Sequence, residues 1–189
     1  MQKAGEMNKG TMAAIIGLDN EKTTAVCAEA SSAGIVQVAN FNSPGQIVIS
    51  GSVEGVLKAM ELAKAAGAKM AKQLVVHGAF HSPLMEPARE EFKTALENTE
   101  FAKPKIPVYT NVHAKPVSSE TDPAFIKQTL YEQLTSSVRW EESVVNMIAD
   151  GAEQFIELGP GKVLQGLIKR INASAVIKGV DKAEDINKL

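Results

Sequence analysis

The feature that most constrains the fold is an alternation of apolar runs and helix-like segments along the first 76 residues. Four short runs, each flanked by glycine, have the length and apolar character of buried strands. These predicted strands occupy residues 11–18, 35–42, 46–50 and 69–76. The tripeptide Ser43-Pro44-Gly45 predicts a turn between the second and third strands, so these two strands are expected to form a hairpin.

Two helices are predicted between these strands. Asp19 or Asn20 can cap the first helix, because a short polar side chain accepts from the free N–H groups of the first turn. Ser52 can cap the second helix, which is expected to end at Gly67. The resulting order of strand, helix, strand, strand, helix and strand over about 65 residues is typical of the ferredoxin-like split β-α-β unit. Residues 10–76 are therefore expected to form a ferredoxin-like small subdomain.

A different pattern begins after Gly78, where longer helices and strands alternate. Helices are predicted at residues 83–98, 123–134, 141–149 and 163–171, and strands at residues 106–111, 154–158 and 175–177, with a longer connection over residues 112–122. Such alternation predicts a parallel or mixed sheet in an α/β fold. Residues 1–9 and 77–189 are therefore expected to form part of a larger α/β domain into which the small subdomain is inserted.

Bulk composition limits the class of protein. The 189-residue chain is 44% hydrophobic and 22% charged, which is ordinary for a globular protein. Its formal net charge of −2 gives no electrostatic reason to expect nucleic acid or an anionic membrane as a partner. No apolar run approaches the roughly 20 residues that cross a bilayer, and residues 1–6 lack the apolar stretch of a secretory signal. The single cysteine, Cys27, excludes an intrachain disulfide and fits the reducing cytoplasm.

The loop from His77 to Met85 (HGAFHSPLM) carries the strongest chemical signal. Loops positioned by a rigid scaffold are where catalytic residues concentrate. His81 is a candidate general base, although a histidine that caps the next helix or hydrogen-bonds within the loop is the simpler interpretation of the spacing alone. His77 and His81 are not expected to bind a metal, because Gly78 disfavours a helix and no acidic or cysteine ligand lies close by in the sequence.

Three segments together resemble the malonyl-CoA:acyl carrier protein transacylases of fatty acid synthesis: this loop, residues 41–46 (FNSPGQ) and residues 157–162 (ELGPGK). The resemblance extends from Met1 to about Gly179. It implies an α/β-hydrolase-like acyltransferase core with an inserted ferredoxin-like subdomain. It also implies a cytoplasmic enzyme that moves a malonyl group from malonyl-CoA to the phosphopantetheine thiol of acyl carrier protein through a serine ester, without a cofactor or a metal.

The resemblance assigns two residues to catalysis. In the family, the position of His81 is the base that takes the proton from the nucleophilic serine and later activates the carrier thiol. The position of Gln133 contributes its backbone carbonyl, which accepts from the histidine and selects the tautomer whose other ring nitrogen faces the serine. By composition alone Gln133 is a surface residue at a helix end. Its side chain is therefore expected to be partly replaceable.

Five further residues are implied on the substrate side. Phe80 is implied to shape the acyl pocket, because a ring beside the base leaves no room for a methyl branch; the alternative is a core residue. Asn42 and Asn40 are implied to line the cleft from the small subdomain, although asparagine before Ser-Pro-Gly also makes a turn. Met1 and Met12 match family positions near the cleft, where methionine can equally be packing.

An essential part of such an enzyme is absent from this sequence. Acyltransferases of this type carry Gly-x-Ser-x-Gly at a strand-to-helix elbow, and no such segment occurs in the 189 residues. The serine, and the arginine that pairs with the malonyl carboxylate, are expected in the first third of the family domain, outside this chain. The chain alone is therefore expected to be inactive. The missing N-terminal segment of the same enzyme is an expected partner beside malonyl-CoA and acyl carrier protein.

Two other functions remain open. One is a non-catalytic acyltransferase-like module that binds acyl carrier protein or a partner enzyme. The other is a hydrolase with Cys27 as nucleophile and His81 as base, although the alanine-rich helix around Cys27 favours a packing role. The segment Gly159-Pro160-Gly161-Lys162 lacks the spacing of a phosphate-binding P-loop and predicts a sharp strand-to-helix turn. His113 has no local partner and is expected to be a loop residue.

Overall fold

The computed structural model describes residue 5, residues 8–76 and residues 78–188. Its first part is a four-stranded sheet with two helices. The elements are β1 (Thr11–Ile16), α1 (Asn20–Ala30), β2 (Val36–Ser43), β3 (Gln46–Gly51), α2 (Val53–Ala65) and β4 (Met70–Gln73). The predicted order of strands and helices is confirmed. The last of these strands, Met70–Gln73, is shorter than predicted, and Val75 beyond it is 98% exposed.

The sheet order is β2-β3-β1-β4, and every neighbouring pair is antiparallel. Strands β1 and β2 therefore run in the same direction with β3 between them, and α1 makes the crossover from one to the other. Helix α2 makes the equivalent crossover from β3 to β4. Each helix lies between two parallel strands that are not neighbours, which is the connectivity of a split β-α-β unit.

Local sequence sets the ends of both helices. The Asp19 carboxylate accepts from the Lys22 N–H at 2.7 Å and caps α1. The Ser52 hydroxyl accepts from the Gly55 N–H at 3.2 Å and caps α2. Each cap satisfies one of the N–H groups that the first turn of a helix leaves without a partner.

The hairpin between β2 and β3 turns at Pro44 and Gly45. Gly45 adopts φ +69°, which is the sign that a type II turn requires at its third position. The pairing of Ser43 with Gln46 brackets this turn, so strand β2 runs through Asn42 and Ser43 before the chain reverses. The predicted hairpin is confirmed, with a turn one residue shorter than the tripeptide suggested.

The strands divide their side chains between two faces of the sheet. The helix-side face packs under α1 and α2 and forms the main core, in which Ile15, Ile47, Ile49 and Val56 are fully buried. The loop-side face carries a smaller cluster of Met12, Ala39 and Val48, against which Leu74, Val76 and Phe80 pack. Successive strand residues point to opposite faces, which is why the neighbours Val48 and Ile49 belong to different clusters. The loop-side face is therefore the one that meets the His81 loop.

The rest of the chain alternates helices with short strands. Its elements are a 3₁₀ helix (Pro83–Met85), α3 (Pro87–Glu97), β5 (Val108–Tyr109), β6 (Pro116–Val117), α4 (Pro123–Glu132), α5 (Trp140–Ala149), β7 (Gln154–Leu158), α6 (Val163–Ile171), β8 (Val176–Val180) and a 3₁₀ helix (Ala183–Lys188). Strands β7 and β8 pair in parallel, whereas β5 and β6 pair antiparallel. Helices α5 and α6 pack against β2, which joins the two parts of the chain.

Three predicted boundaries in this part were wrong. The helix predicted over residues 83–98 is divided, because Pro87 has no N–H to continue the 3₁₀ turn and begins α3 instead. The strand predicted over residues 106–111 has only the two residues of β5, and its partner β6 lies where a connection was expected. The last strand is Val176–Val180 rather than residues 175–177. Short pairs such as β5 and β6 are set by tertiary contacts that the local pattern does not contain.

Across the described ranges, no helix combines the length and the apolar character that crossing a membrane requires.

Candidate active site

The loop that carries His81 is fixed by the serine that follows it. Ser82 is buried, and its hydroxyl donates to the Ala79 carbonyl at 2.6 Å. The same hydroxyl accepts from the Leu84 N–H at 3.3 Å and caps the 3₁₀ helix. His81 itself has a left-handed backbone with φ +57°. L-residues rarely adopt this conformation, and it persists where surrounding contacts impose it. The loop therefore presents the imidazole from a strained backbone.

The imidazole of His81 contacts the end of α4. Its Nδ1 lies 3.0 Å from the backbone carbonyl oxygen of Gln133. A carbonyl oxygen can only accept, so Nδ1 carries the proton and Nε2 keeps a free lone pair. Gln133 is the C-cap of α4, and the carbonyls of the last helical turn have no partner within the helix. The expected contact between these two residues is present.

A cavity of about 260 Å³ opens beside the imidazole. It is lined by His81, Ala88, Phe92, Leu130, Gln133 and Leu134. Four of these six side chains are hydrocarbon, and they come from α3, from α4 and from the residue after Gln133. Pockets for drug-sized ligands measure about 300–1,000 Å³, so this cavity is just below that range.

Residues 135–138, the joining segment, connect α4 to the four-stranded sheet. The Val138 N–H donates to the Ala39 carbonyl at 2.7 Å. The Ser137 hydroxyl donates to the Val38 carbonyl at 2.6 Å. These bonds to β2 fix the chain just after Gln133, so the sheet helps to place the carbonyl that accepts from the imidazole.

Phe80 and Met12 lie together in the loop-side cluster. Phe80 is partly buried and packs against that cluster, and Met12 is 6% exposed. Neither residue lines the cavity beside His81. The contacts therefore agree with the packing alternative for both residues, and their substrate roles stay a prediction. Met1 lies outside the described residues.

Asn40 and Asn42 are both partly buried residues of β2. The alternative that Asn42 forms the turn is wrong, because β2 continues through Ser43. Asn40 forms an isolated parallel bridge with Val138, which places it beside the joining segment. Asn40 pairs with Val48 of the loop-side cluster, so it lies on the loop side of the sheet. Asn42 lies at the register shift that precedes Ser43, where strict alternation of faces does not hold. Their role in a substrate cleft stays a prediction.

His113 has a partner that the sequence did not reveal. Its Nε2 lies 3.4 Å from the Glu132 carboxylate, and its ring stacks on Phe125 with 5.5 Å between the ring centroids. His113 lies in a turn, as expected, and both of its partners come from α4 rather than from its own segment of the chain. Glu132 directly precedes Gln133, so this contact lies beside the helix end whose carbonyl accepts from His81.

The thiol of Cys27 is unsuited to nucleophilic chemistry. It is 4% exposed in the helix-side core, and burial raises the pKa of the Cys27 thiol to about 12. At neutral pH only about one such thiol in 10⁵ is ionised, and the thiolate is the nucleophile. The predicted packing role of Cys27 is confirmed, and the cysteine hydrolase has no support. Among the described residues, no cluster of three or more His, Cys, Asp or Glu could hold a metal ion; His77 lies outside them.

The Gly159–Lys162 segment is a turn whose following helix is already capped. The Glu157 carboxylate accepts from the Leu164 N–H at 3.0 Å and from the Gln165 N–H at 3.2 Å. Partial burial opposes ionisation of Glu157, but these hydrogen bonds outweigh it and lower the pKa of the carboxyl. The carboxylate occupies the place at the start of α6 where a phosphate would bind. The predicted turn is confirmed.

The class of protein that this site and fold define is an acyl transferase. The family model described as "acyl transferase domain" matches residues 2–188, and the chain belongs to that family. Among its relatives, the malonyl CoA-acyl carrier protein transacylase of Bacillus subtilis (strain 168) is 46% identical over 187 residues, which cover 98% of this chain and 58% of the relative. The protein of the same description from Haemophilus influenzae is 46% identical over 171 residues, with 90% and 54% covered.

Solved structures of malonyl transferases superpose closely on this chain. An acyl carrier protein S-malonyltransferase from Vibrio cholerae superposes with a TM-score of 0.89 at 46% identity, covering 95% of this chain and 57% of that one. A malonyl-transacylase in complex with a type II polyketide synthase acyl carrier protein gives a TM-score of 0.90 at 41% identity, covering 99% and 61%. The resemblance predicted from the sequence is confirmed, as is a mixed α/β fold. The chain spans between 54% and 58% of the length of these two curated relatives.

Proposed function

We propose that this chain is the histidine-bearing part of an acyltransferase that moves malonyl from malonyl-CoA to the phosphopantetheine thiol of acyl carrier protein in fatty acid synthesis. The observation that carries the proposal is the 3.0 Å contact between His81 Nδ1 and the Gln133 carbonyl, in a chain similar to malonyl transacylases. The contact leaves Nε2 free to accept a proton. Acyl transfer between thiols needs no cofactor. A cytoplasmic location is part of the proposal, supported by the single free thiol, Cys27.

The proposed reaction has two half-reactions that use the same histidine. In the first, Nε2 of His81 takes the proton of a serine hydroxyl as its oxygen bonds to the malonyl carbonyl carbon. The imidazolium then protonates the sulfur of coenzyme A as the carbon–sulfur bond breaks. In the second, Nε2 takes the proton of the carrier thiol as its sulfur bonds to the carbonyl carbon of the serine ester. The imidazolium then returns the proton to the serine oxygen as the carbon–oxygen bond of the ester breaks. The Gln133 carbonyl stabilises the transient imidazolium in both steps.

The serine has to come from the part of the family domain that this chain does not span. The sheet of β7 and β8 supports a place for that part to dock. On one face of the sheet, Ile156, Leu158 and Val176 are 42%, 75% and 54% exposed. Parallel strands in α/β proteins are normally covered on both faces, and an open apolar patch of this kind marks an interaction site. We therefore assign this face to the N-terminal segment that carries the serine.

The finer description of the fold is also a proposal. Residues 10–76 are a ferredoxin-like small subdomain, supported by the antiparallel order β2-β3-β1-β4. Residues 1–9 and 77–189, of which residues 1–4, 6, 7, 77 and 189 lie outside the described residues, are proposed to form an α/β-hydrolase-like core with the remaining segment. Its support is the β7-α6-β8 unit, in which a helix connects two parallel strands.

The substrate side of the site is proposed on the loop-side face of the small subdomain. Phe80 limits the α-carbon of the acyl group, Asn42 and Asn40 line the cleft, and Met12 backs the cluster on which Phe80 rests. Phe80, Met12 and Asn40 are supported by the loop-side face that they share, next to the loop that presents the imidazole. Asn42 is supported by its place two residues further along β2. Met1 is assigned by the resemblance alone.

A non-catalytic module that binds acyl carrier protein or a partner enzyme is the second candidate. The observation in its favour is that the sequence contains no Gly-x-Ser-x-Gly elbow. Such a module keeps the His81–Gln133 contact as a structural hydrogen bond only. Transfer chemistry in the completed domain separates the two candidates.

The test completes the domain in trans. The purified chain is incubated with radiolabelled malonyl-CoA and acyl carrier protein, with and without the portion of the Bacillus subtilis relative that this chain does not match. We expect no label on the chain alone and labelled acyl carrier protein once the segment is added. The same mixture with His81→Ala is the control and stays inactive. Stable label on the chain alone contradicts the proposal, and a complex that binds the carrier without transfer favours the module.

A further inference from the structure

The side chain of Gln37 makes a contact that the proposed reaction leaves unused. Gln37 lies in β2, and its Nε2 is 2.8 Å from the His81 carbonyl oxygen and 2.9 Å from the Thr135 carbonyl oxygen. The two hydrogens of the amide serve these two acceptors, since the reversed amide would place its own oxygen against both carbonyls. One side chain therefore fastens the His81 loop to the joining segment.

The fold does not by itself require an amide at this position. Val36 and Val38 on either side are buried in the helix-side core, so strand alternation directs Gln37 to the loop-side face. There it is only partly buried, opposite Ser50 of β3. An apolar side chain of the same length satisfies both the strand and this face. The two donors are what distinguish glutamine here.

The two segments that Gln37 connects are the ones that make the contact at the imidazole. His81 supplies Nδ1, and Thr135 lies two residues after Gln133, whose carbonyl accepts from it. Holding both carbonyls on one amide limits how far the imidazole and Gln133 can move apart. The bond from Gln37 also fixes the carbonyl of the peptide that follows His81. The backbone of His81 has φ +57°, a conformation that depends on such surrounding contacts.

Other bonds hold the joining segment without Gln37. The Val138 N–H donates to the Ala39 carbonyl, and the Phe41 N–H donates to the Val138 carbonyl at 2.9 Å. Both bonds are between backbone atoms, so they survive a change of the side chain at position 37. Loss of the Gln37 donors is therefore expected to release the His81 loop while the joining segment stays on β2.

We propose that Gln37 is a positioning residue that holds the His81 imidazole, as its Nδ1–H tautomer, against the Gln133 carbonyl without touching substrate. Its consequence for catalysis rests on the proposed function of His81. The positioning itself is a property of this chain and can be measured on the chain alone.

The test labels the ring nitrogens of the histidines with ¹⁵N in the whole chain and reads their chemical shifts at alkaline pH, with His81→Ala to assign the signals. We expect the Nδ1–H tautomer of His81 in the unchanged chain. Gln37→Met has the same length without donors, so its His81 shifts should move toward a mixture of tautomers. Gln37→Lys supplies N–H donors again and should recover most of that movement.

The matched control is Gln73→Met. It makes the same substitution at another partly buried bond in the four-stranded sheet, in which Gln73 Nε2 of β4 donates to the Thr11 hydroxyl of β1 at 3.0 Å. Its His81 shifts should equal those of the unchanged chain. Unchanged His81 shifts in a folded Gln37→Met chain overturn the proposal, and so does an equal movement in Gln73→Met. If Gln37→Met fails to fold, Gln37→Glu keeps the length, is acceptor-only at this pH and should show the same movement.

In the completed enzyme, Gln37→Met should lower kcat by about 10-fold and leave the KM for malonyl-CoA within about 2-fold, because misplacing a base affects the chemical step. A change confined to KM contradicts the positioning role. If His81→Ala retains transfer, the proposed function fails while the tautomer result still stands. If His81→Ala abolishes transfer and Gln37→Met leaves the tautomer unchanged, only the role of Gln37 fails.

Discussion

The four-stranded sheet and the β7–β8 pair contain similar apolar strands but bury them to very different extents. Ile47 and Ile49 of the first sheet are fully buried, whereas Ile156 and Leu158 of the second are 42% and 75% exposed. The first sheet carries its own cover, because α1 and α2 follow its strands in the same stretch of chain. On the second sheet, the residues that the structure describes leave the face of Leu158 open. The first sheet therefore buries its apolar face within this chain, and the second leaves apolar side chains exposed among the described residues.

The candidate site draws on both kinds of region. His81 is held by Ser82, by Gln37 of the self-covered sheet and by the end of α4. The base is therefore oriented in this chain without the nucleophile it is proposed to serve. The open β7–β8 face is where the rest of the domain is proposed to attach. Residues of this chain therefore orient His81, whereas the serine that completes the site is proposed to come from another segment.

The largest effect on the rate of transfer is expected at His81, which this chain orients and which is proposed to act on the serine of the completing segment. In the completed enzyme, His81→Ala should lower malonyl transfer to acyl carrier protein by about 10²–10⁴-fold, the usual range for loss of a general base. Gln133→Ala should have far less effect, because its contact uses the backbone carbonyl that alanine retains. Initial rates of transfer measure both, with thermal unfolding to show that each variant folds. Comparable losses from the two substitutions would mean that the roles are wrongly assigned.

The next largest effect is expected on the free energy of unfolding, which should respond differently to substitutions in the two sheets. In the chain alone, Ile47→Ala should lower the free energy of unfolding by about 2–5 kcal/mol, because it leaves a cavity in a closed core. Leu158→Ala should change it by less than about 0.5 kcal/mol, because the side chain is already in water. Urea unfolding measures both variants. Leu158→Ala should weaken the binding of the completing segment to the chain. Ile47→Ala should leave that binding unchanged in the protein that remains folded. Equal destabilisation of the chain alone would remove the contrast between the sheets.

The self-covered sheet is also the part that the sequence predicted best, for the same physical reason. Its strands alternate between two faces, its helices carry the caps Asp19 and Ser52, and Pro44-Gly45 supplies the turn, so each local signal agrees with the final fold. The remaining chain was predicted less well. Strands β5 and β6 are two residues each, and their pairing depends on contacts rather than on a repeating pattern.

The site was predictable only in part. His81 and Gln133 came from the family resemblance, and the structure brings them together although 52 positions separate them. The contacts of Gln37 join residues 44 and 98 positions away, and no spacing rule relates such residues. The Glu132 partner of His113 was missed for the same reason. A glutamine between two valines in a predicted strand was the available signal, because it places an amide on the face opposite the core.

A smaller effect is expected at Phe80, in selectivity rather than in rate. In the completed enzyme, Phe80→Ser should raise kcat/KM for methylmalonyl-CoA relative to malonyl-CoA by about 10–200-fold at most, since one methyl group is worth about 1–3 kcal/mol. Met12→Ala is the matched control, because it opens the same cluster without removing the ring beside the base. Steady-state kinetics with both substrates measure the ratio. An unchanged ratio for Phe80→Ser, or an equal change for Met12→Ala, would leave Phe80 as a packing residue of the loop-side cluster.

The smallest effect is expected at the start of α6, beside the open sheet. Partial burial opposes ionisation of Glu157, but hydrogen bonds from the Leu164 and Gln165 N–H groups outweigh it and lower its pKa. A carboxyl whose pKa is lower in the folded state adds stability above its unfolded pKa and loses it as pH falls through the folded value. Glu157→Gln should therefore cost about 0.3–1 kcal/mol at neutral pH and low salt, less at high salt, and nothing at strongly acidic pH.

Glu153→Gln is the control for Glu157→Gln, because it removes the same charge from an exposed position before β7 without removing a cap. Thermal unfolding as a function of pH should separate the two variants at neutral pH and bring them together in acid. A constant offset, or identical curves, would mean that the carboxylate at position 157 does not stabilise the helix. Separate curves would show that exposed hydrogen bonds contribute to the stability of the region around α6. The stability of the four-stranded sheet, by contrast, depends on buried isoleucine side chains. That difference is expected if the exposed apolar face of β7 and β8 is, as proposed, the docking face for another segment.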